Sequence, residues 1–242
     1  MRAEPIELTA SDNVLLRGQH WPGGDTWIIL LHEAGKDLDC WQPLVLPLLE
    51  RGYSLLTLDL RGHGASDGEW DVPALGDDLD AVIGFAHKLG AQRVGLIGAG
   101  EGVLPALINA HARHLFAIVA LSPGPVGDLP VDELRGVAVS KLFVVGSLGE
   151  QAVEAEQQIR DRMIGWIVLL RLPTEEQGTS LLAGQWRLHV QENIIAFLEE
   201  QRYRGYRPPG TATGAAQAET LVKHILMPEK RPDDAAPSAD QS

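Results

Sequence analysis

The sequence of 242 residues predicts an α/β fold, with a mostly parallel sheet of eight strands and helices on both faces. Three observations lead to this fold class. The chain alternates short apolar runs with longer amphipathic stretches. The apolar runs are rich in Val, Ile and Leu and lack polar alternation, which is typical of strands buried on both faces. The intervening stretches carry apolar residues at helical spacing, and strands that alternate with helices favour a parallel sheet.

The elements follow one another in a regular order along the chain. The first two predicted strands, 6–9 and 14–19, are close together and are expected to form an antiparallel hairpin across Ser11-Asp12-Asn13. The other six strands are predicted at 27–31, 54–58, 93–97, 117–121, 142–145 and 166–170. Helices are predicted at 39–51, 73–89, 101–112, 151–163 and 186–201.

The last forty residues differ from the rest in composition. Pro208-Pro209-Gly210 ends the last predicted helix, so the sequence predicts a domain over 1–204 and a flexible extension over 205–242. Within the extension, the apolar residues at 218–227 have helical spacing and predict a short amphipathic helix. Such a segment cannot bury its apolar face alone. It is expected to dock on its own domain, on a second copy or on another protein chain.

Charge and cysteine content narrow the class of protein. The net charge of −13 argues against nucleic acid as a partner, because nucleic acids select clustered Lys and Arg. One cysteine, Cys40, excludes an internal disulfide and a cysteine-based metal site. No run approaches the ~18 apolar residues of a membrane span, and residues 1–12 contain no apolar leader segment. The sequence therefore predicts a soluble, cytoplasmic protein.

One glycine-rich motif follows the predicted strand 93–97 directly. Gly98-Ala99-Gly100-Glu101-Gly102 stands between a strand and a helix, which is the layout of a nucleophile elbow, normally Gly-x-Ser-x-Gly. The outer glycines let strand and helix approach closely. Residues 30–35, Leu-Leu-His-Glu-Ala-Gly, resemble the HG-type loop that supplies one amide of an oxyanion hole. Residues 59–66, Asp-Leu-Arg-Gly-His-Gly-Ala-Ser, resemble a DxRGHGxS segment.

With these three motifs in register, the chain from about residue 5 to 203 resembles the α/β-hydrolases of the esterase or dienelactone-hydrolase-like kind. The resemblance implies a catalytic triad at the carboxyl edge of the sheet. The stretch 122–140 is too short for a lid domain, so an open site is expected.

All three triad positions of the resemblance carry residues unsuited to the chemistry. The nucleophile position is Gly100, which has no nucleophilic group. The acid position, in a turn that resembles Gly-x-x-Asp, is Gly149, although Glu150 stands beside it as a conceivable substitute. The histidine position, just before Gly178-Thr179, is Gln177, which does not titrate near neutral pH. The sequence thus predicts no catalytic residues.

Two interpretations of the remaining polar residues stay open. In one, Glu33 and Glu101 form a carboxylate pair, with His63 as a third metal ligand or as an acid. In the other, His63 packs under the elbow and Glu101 caps its helix. No metal site and no cofactor are predicted, since no ligand spacing, Walker A string or dinucleotide fingerprint is present. The residues predicted to line the remnant pocket are His32, Glu33, Ala34, His63, Gly98, Glu101, Gly102 and Glu150.

Three functions are compatible with these residues. The first is a non-catalytic hydrolase-fold protein that binds a partner, as a scaffold or assembly subunit, with the C-terminal segment contacting another chain or itself. The second is an esterase-like hydrolase with a displaced site at Glu33, His63 and Glu101. The third is a small-molecule sensor that uses the emptied pocket. Fold alone does not choose among them.

Overall fold

The computed structural model describes residues 2–108, 114–125, 127, 134, 138–203 and 221–225. Nine strands in these ranges form one sheet: β1 (Glu4–Thr9), β2 (Leu15–Trp21), β3 (Thr26–Leu31), β4 (Ser54–Asp59), β5 (Arg93–Gly100), β6 (Ala117–Pro123), β7 (Ser140–Gly146), β8 (Trp166–Leu172) and β9 (Leu221–His224). Their order in the sheet is β1-β2-β4-β3-β5-β6-β7-β8-β9. The first three positions in the sheet pair antiparallel, and every later pair from β4 to β9 is parallel.

Five helices in the described part of the chain cover the sheet. They are α1 (Gln42–Glu50), α2 (Leu75–Lys88), α3 (Leu104–Leu107), α4 (Glu150–Arg160) and α5 (Arg187–Tyr203). Short 3₁₀ turns at Leu38–Trp41 and Glu101–Val103 lead into α1 and α3, and a third lies at Gly178–Leu182. Residues 109–112 of the predicted helix 101–112 lie outside the described part of the chain, as does much of the stretch 122–140 where no lid was expected.

The core has two halves, one on each face of the sheet. On one face, α2 and α3 pack against side chains such as Ile29 and Leu96. On the other, α1 and α5 pack against the alternate side chains, such as Ile28 and Leu30. Because both faces are covered, every residue of β3 is buried, in agreement with its apolar sequence from Trp27 to Leu31. The predicted fold class is confirmed, with one strand more than predicted.

The additional strand corrects the prediction of a helix at 218–227. Residues 221–224 form β9, which pairs parallel with β8 from Trp166↔Leu221 to Leu169↔His224. The Ile225 amide donates to the Leu169 carbonyl at 2.9 Å, and Ile225 packs against the core half that contains α5. A short apolar run fits either period, and the edge of β8 offers backbone groups that only a strand can pair. Residues 205–220 and 226–242 lie outside the described part, so the prediction of a flexible extension stays a prediction.

None of the described helices is long and apolar enough to span a bilayer.

The start of β7 buries a lysine completely. Lys141 is 0% exposed, and its ammonium group donates to the carbonyls of Val139 at 2.6 Å and Ile164 at 2.8 Å. Burial lowers the pKa of Lys141 from 10.5 to about 7, because the charged form loses its hydration. Folding therefore releases a proton over part of the neutral-to-alkaline range.

Lys141 should make the stability of the fold depend on pH. Between about pH 7 and 10.5 the unfolded state binds more protons, so the free energy of unfolding rises with pH by up to ~1.4 kcal/mol per pH unit. In Lys141→Met this contribution disappears. Urea denaturation from below pH 7 to above pH 9 should show the wild type gaining stability relative to the variant. Lys88→Met, at an exposed lysine of α2, should follow the wild type. If the free energy of unfolding changed with pH in the same way in the wild type and in Lys141→Met, this would contradict the lowered pKa of Lys141.

Truncation after Tyr203 tests whether β9 belongs to its own domain. The truncated chain should stay folded, since both core halves are built before residue 204, and lose about 1–3 kcal/mol of stability through the exposed edge of β8. Ile225→Pro in the full chain removes one ladder donor and should reproduce part of that loss. Both are measured by urea denaturation. An unchanged free energy of unfolding, with a smaller oligomer in gel filtration, would place this segment in an interface between copies.

Candidate functional site

The end of β5 turns as sharply as the elbow motif predicts. Gly100 closes the strand with φ +51° and ψ −131°, a region that favours glycine, and the 3₁₀ turn Glu101–Val103 follows at once. A Cβ atom at Gly98 would lie 2.7 Å from the Cα of Val103, and one at Gly102 would overlap the His32 carbonyl oxygen. Strand, turn and the loop after β3 therefore meet at van der Waals distance, and the two outer glycines are required by that contact.

The space above Gly100 is occupied by Glu33. A Cβ atom at position 100 would lie 2.6 Å from the Cβ of Glu33. The Glu33 carboxylate accepts two hydrogen bonds through Oε1, from the Thr179 hydroxyl at 2.7 Å and the Thr179 amide at 3.1 Å. Its second oxygen, Oε2, is buried, and no described residue donates to it. Glu33 thus spans from the end of β3 to the turn after β8, across the tip of the elbow.

The Gln177 side chain lies between the ends of β6 and β7. Its amide nitrogen donates to the Gly146 carbonyl at 2.8 Å, and its amide oxygen accepts from the Ser122 hydroxyl at 2.6 Å. A Cβ atom at Gly149 would overlap the Gln177 amide nitrogen. The glutamine therefore fills the room that an acidic side chain at position 149 would need. Ser122, Gln177 and the Gly146 carbonyl thus form an uncharged network, in which the amide nitrogen and the amide oxygen of Gln177 each have a hydrogen-bond partner.

Both histidines near the elbow are tied to the backbone. His63 Nε2 accepts from the Gly35 amide at 2.8 Å, and its Nδ1 lies 3.1 Å from the Arg61 carbonyl. His32 Nε2 accepts from the Leu60 amide at 2.9 Å, and its Nδ1 lies 2.9 Å from the Glu33 carbonyl. In each ring Nε2 accepts a hydrogen bond from a backbone amide, and Nδ1 faces a carbonyl oxygen to which it can donate. Burial lowers the pKa of His32, in agreement with the neutral form.

Residues 59–66 form a loop that holds His63 in place next to the elbow. The Asp59 carboxylate accepts from the amides of Leu38 at 2.9 Å and Ala65 at 2.8 Å, which closes the loop on itself. Arg61 pairs with the fully buried Asp78 of α2, Nη2 to Oδ1 at 2.6 Å. The loop is thereby fixed to α2, and His63 is held against Trp70 with ring centroids 4.7 Å apart. The motif shapes and supports the site and presents no free side chain to it.

A cavity of about 950 Å³ lies at the carboxyl edge of the sheet, above these residues. The three positions predicted to correspond to a triad, Gly100, Gly149 and Gln177, all line it. Of the residues predicted for the remnant pocket, Glu33, Ala34, Glu101 and Glu150 line the cavity, while His32, His63, Gly98 and Gly102 do not. The other lining residues are Ser122, Pro123, Gly124, Pro125, Gln151, Ala152, Glu154, Ala155, Gln158 and Gly178.

No protein-family model matches the chain. Among curated proteins, it is 28% identical over 119 residues to the dihydrolipoyllysine-residue acetyltransferase component of the acetoin cleaving system of Cupriavidus necator, covering 48% of this chain and 32% of that protein. It is 31% identical over 99 residues to a bifunctional esterase/perhydrolase of Acinetobacter calcoaceticus, covering 39% and 36%. The matched segments thus span about a third of these relatives.

Solved structures match over most of the chain. The Pyrococcus furiosus esterase Pf2001 has a TM-score of 0.69 at 20% identity, with 82% of this chain and 90% of that chain covered. Est1E of Butyrivibrio proteoclasticus has a TM-score of 0.69 at 18% identity, with 81% and 99% covered. The chain has the α/β-hydrolase fold. At these identities the likeness concerns the fold.

Two polar residues of this site were not among the residues predicted for it. Ser122 has a turn-like sequence context, but it is the last residue but one of β6, has φ +42° and joins the Gln177 network. Thr179 served only to align position 177, yet it is the partner of Glu33. Gln177 follows β8, which β7 separates from β6, so strand order alone does not bring Ser122 and Gln177 together. No sequence signal connects Glu33 with Thr179.

The described residues place one thiol near this site and hold no cluster of metal ligands. Cys40 lies near Glu33 and Thr179, but burial, and next the Glu33 carboxylate, raise the pKa of its thiol to about 12. A thiol with that pKa stays protonated and weakly nucleophilic at neutral pH. Within the described residues, no group of three His, Cys, Asp or Glu side chains could hold a metal ion.

The elbow should tolerate no side chain at its outer glycines. Gly98→Ala and Gly102→Ala each force backbone or core atoms apart and should cost about 2–4 kcal/mol of stability. Gly84→Ala, on α2 with open space around its Cβ position, is the matched control and should gain up to ~1 kcal/mol. Chemical denaturation of the three variants measures these changes in the free energy of unfolding. Equal stability of all three would mean that strand and turn do not approach as described.

Proposed function

We propose that this chain is a non-catalytic protein of the α/β-hydrolase fold that acts by binding a ligand in the cavity above Gly100. The observation that carries the proposal is the Gln177 amide, which bridges the Ser122 hydroxyl and the Gly146 carbonyl where a hydrolase needs a base. An amide neither accepts nor releases a proton near neutral pH.

Acyl transfer in this fold needs a nucleophile and a base within hydrogen-bonding distance of each other. Gly100 supplies no nucleophile. The hydroxyl of Ser122 lies at the cavity, but it donates its proton to the Gln177 amide oxygen, which cannot take that proton over. The turn after β7 has Gly149 at the position predicted for the acid, and no hydrogen bond between Glu150 and Gln177 is seen among the described residues. These residues together support a site without hydrolytic chemistry.

An esterase with a displaced site at Glu33, His63 and Glu101 finds less support. His63 uses both ring nitrogens on backbone groups, at 2.8 Å and 3.1 Å, and does not line the cavity. The Glu33 carboxylate is engaged by Thr179. A proton relay through these three residues would require the loop 59–66 to release His63 first.

The cavity favours ligand binding over a role confined to the C-terminal segment. Its volume of about 950 Å³ is at the upper end of the range of small-molecule sites, and it lies at the sheet edge where this fold holds ligands. Residues 221–225 lie on the protein's own sheet, and so they form part of the domain. Association with another chain, through residues outside the described part, is a separate proposal.

The curated relatives and solved neighbours include proteins named as esterases and an acetyltransferase component. From them we carry over the position of the site at the carboxyl edge of the sheet. The reaction itself does not carry over, because the residues that would perform it are missing at positions 100, 149 and 177.

The purified chain should not hydrolyse p-nitrophenyl acetate or butyrate above the rate in buffer. Spectrophotometric assays should give the same background rate for wild type, Glu101→Ala and His63→Ala. Turnover by the wild type that is lost in either variant would overturn the proposal and favour the displaced site.

Gly100→Ser should be equally inactive, because the new side chain meets Glu33 and has no base at position 177. The matched variant carries Gly100→Ser with Glu33→Gly, Gly149→Asp and Gln177→His. Only this variant removes every obstacle to catalysis that the structure shows. Its rate of p-nitrophenyl ester hydrolysis therefore tests whether further obstacles exist.

A further inference from the structure

Two histidines lie side by side where the loop after β3 meets the loop after β4. Their ring centroids are 5.2 Å apart. His32, from the first loop, accepts a hydrogen bond through Nε2 from the amide of Leu60 in the second, at 2.9 Å. His63, from the second loop, accepts through Nε2 from the amide of Gly35 in the first, at 2.8 Å. The two rings therefore join the two loops by a reciprocal pair of hydrogen bonds.

Both hydrogen bonds depend on the protonation state of the rings. A ring nitrogen that accepts a hydrogen bond carries no proton, whereas an imidazolium ring has two donors and no acceptor. Imidazole is also the side chain whose charge changes between about pH 5 and 8. A proton added to Nε2 of either ring would thus place two N–H groups against each other and break one of the two bonds between the loops.

The two rings differ in their access to water. His32 is 0% exposed, and burial lowers its pKa because the charged form would lose its hydration. His63 is half-buried, with the Trp70 ring against it at 4.7 Å between centroids. A charged His63 keeps part of its hydration. The first added proton is therefore expected on His63, and the hydrogen bond that mild acid removes is the one to Gly35.

The charged groups around the two rings are engaged elsewhere or exposed. Among the described residues, His63 itself forms no ion pair, so no carboxylate holds a protonated ring in its present position. The neighbouring charged groups are Glu33, bound by Thr179; Asp59, bound by the amides of Leu38 and Ala65; Arg61, paired with Asp78 and Asp12; and the exposed Lys36 and Glu69.

The hydrogen bond to Gly35 lies next to the cavity wall. Glu33 and Ala34, which directly precede Gly35, both line the cavity, and Glu33 crosses the elbow to reach Thr179. We propose that the His63–Gly35 hydrogen bond is a pH-sensitive closure, which holds Glu33 over Gly100 at neutral pH and releases residues 33–36 when His63 is protonated in mild acid. The inference concerns regulation of the same cavity, and rests on the proposed binding function where ligand access is meant.

Cys40 can report the position of this loop. It is the single cysteine of the chain, and its thiol lies near Glu33 and Thr179. The full chain is labelled with 4,4′-dithiodipyridine, which reacts with thiols in mild acid, from about pH 8 down to about pH 5.5, the range in which imidazole titrates. The labelling rate relative to that of free glutathione should rise about 3- to 10-fold as the pH falls, as expected for the loss of one hydrogen bond.

Two histidine variants identify the group that is responsible. His63→Ala lacks the hydrogen bond to Gly35 from the start, so its relative labelling rate should be high at every pH. His87→Ala removes an exposed histidine of α2 and should keep the pH dependence of the wild type. A relative rate that does not change with pH in the wild type, or that rises equally in His63→Ala, would refute the proposal.

Amide resonances of the wild type separate local release from acid unfolding and need no variant. In an NMR titration, the Gly35 amide should shift together with the His63 ring, whereas the Ala65 amide, bonded to the Asp59 carboxylate at 2.8 Å, should not. Equal movement of both amides would indicate general loosening of the loops and count against the closure. These measurements use neither ligand nor turnover. Ester hydrolysis by the wild type would therefore reject the proposed function without deciding the role of His63.

Discussion

The close approach of Glu33 to the backbone at Gly100 constrains the whole site. The elbow places position 100 at the top of the sheet with φ +51°, so a side chain there would point into the volume that Glu33 occupies. Glu33 in turn is held by Thr179, beyond the end of β8. Loops after β3, β5 and β8 are thereby joined across the carboxyl edge of the sheet. The contact between Glu33 and Gly100 leaves no room for a side chain at position 100, and together with Thr179 it also fixes the walls of the cavity.

The polar groups of the site divide into two sets. The inner set, with His32, His63, Ser122 and Gln177, is hydrogen-bonded to backbone or amide partners. The outer set consists of the carboxylates of Glu33, Glu101, Glu150 and Glu154, which line the cavity. Catalytic groups are often unsatisfied and have perturbed pKa values. The paired state of the inner set is therefore the feature on which the proposal of a non-catalytic protein depends.

Sequence analysis predicted the eight-stranded part of the sheet and the elbow because each rests on a strong local signal. Buried strands leave unbroken apolar runs, and the glycines at 98 and 102 are dictated by contacts that tolerate no Cβ. Segment 221–224 was misassigned because the few apolar residues in and after it, Leu221, Val222, Ile225 and Leu226, fit a helical or an extended period equally well. The Glu33–Thr179 contact joins residues 146 positions apart, and only the folded chain shows that the two meet.

The overlap between Gly149 and the Gln177 amide has a consequence for how substitutions at this site combine. An aspartate placed at 149 would collide with the glutamine, and a histidine placed at 177 would have a glycine at 149 beside it. A serine placed at 100 would meet Glu33. The effect of each substitution therefore depends on the residues at the other positions. Variants at positions 33, 100, 149 and 177 form one coupled set, in which single changes meet contacts that only a combined change removes.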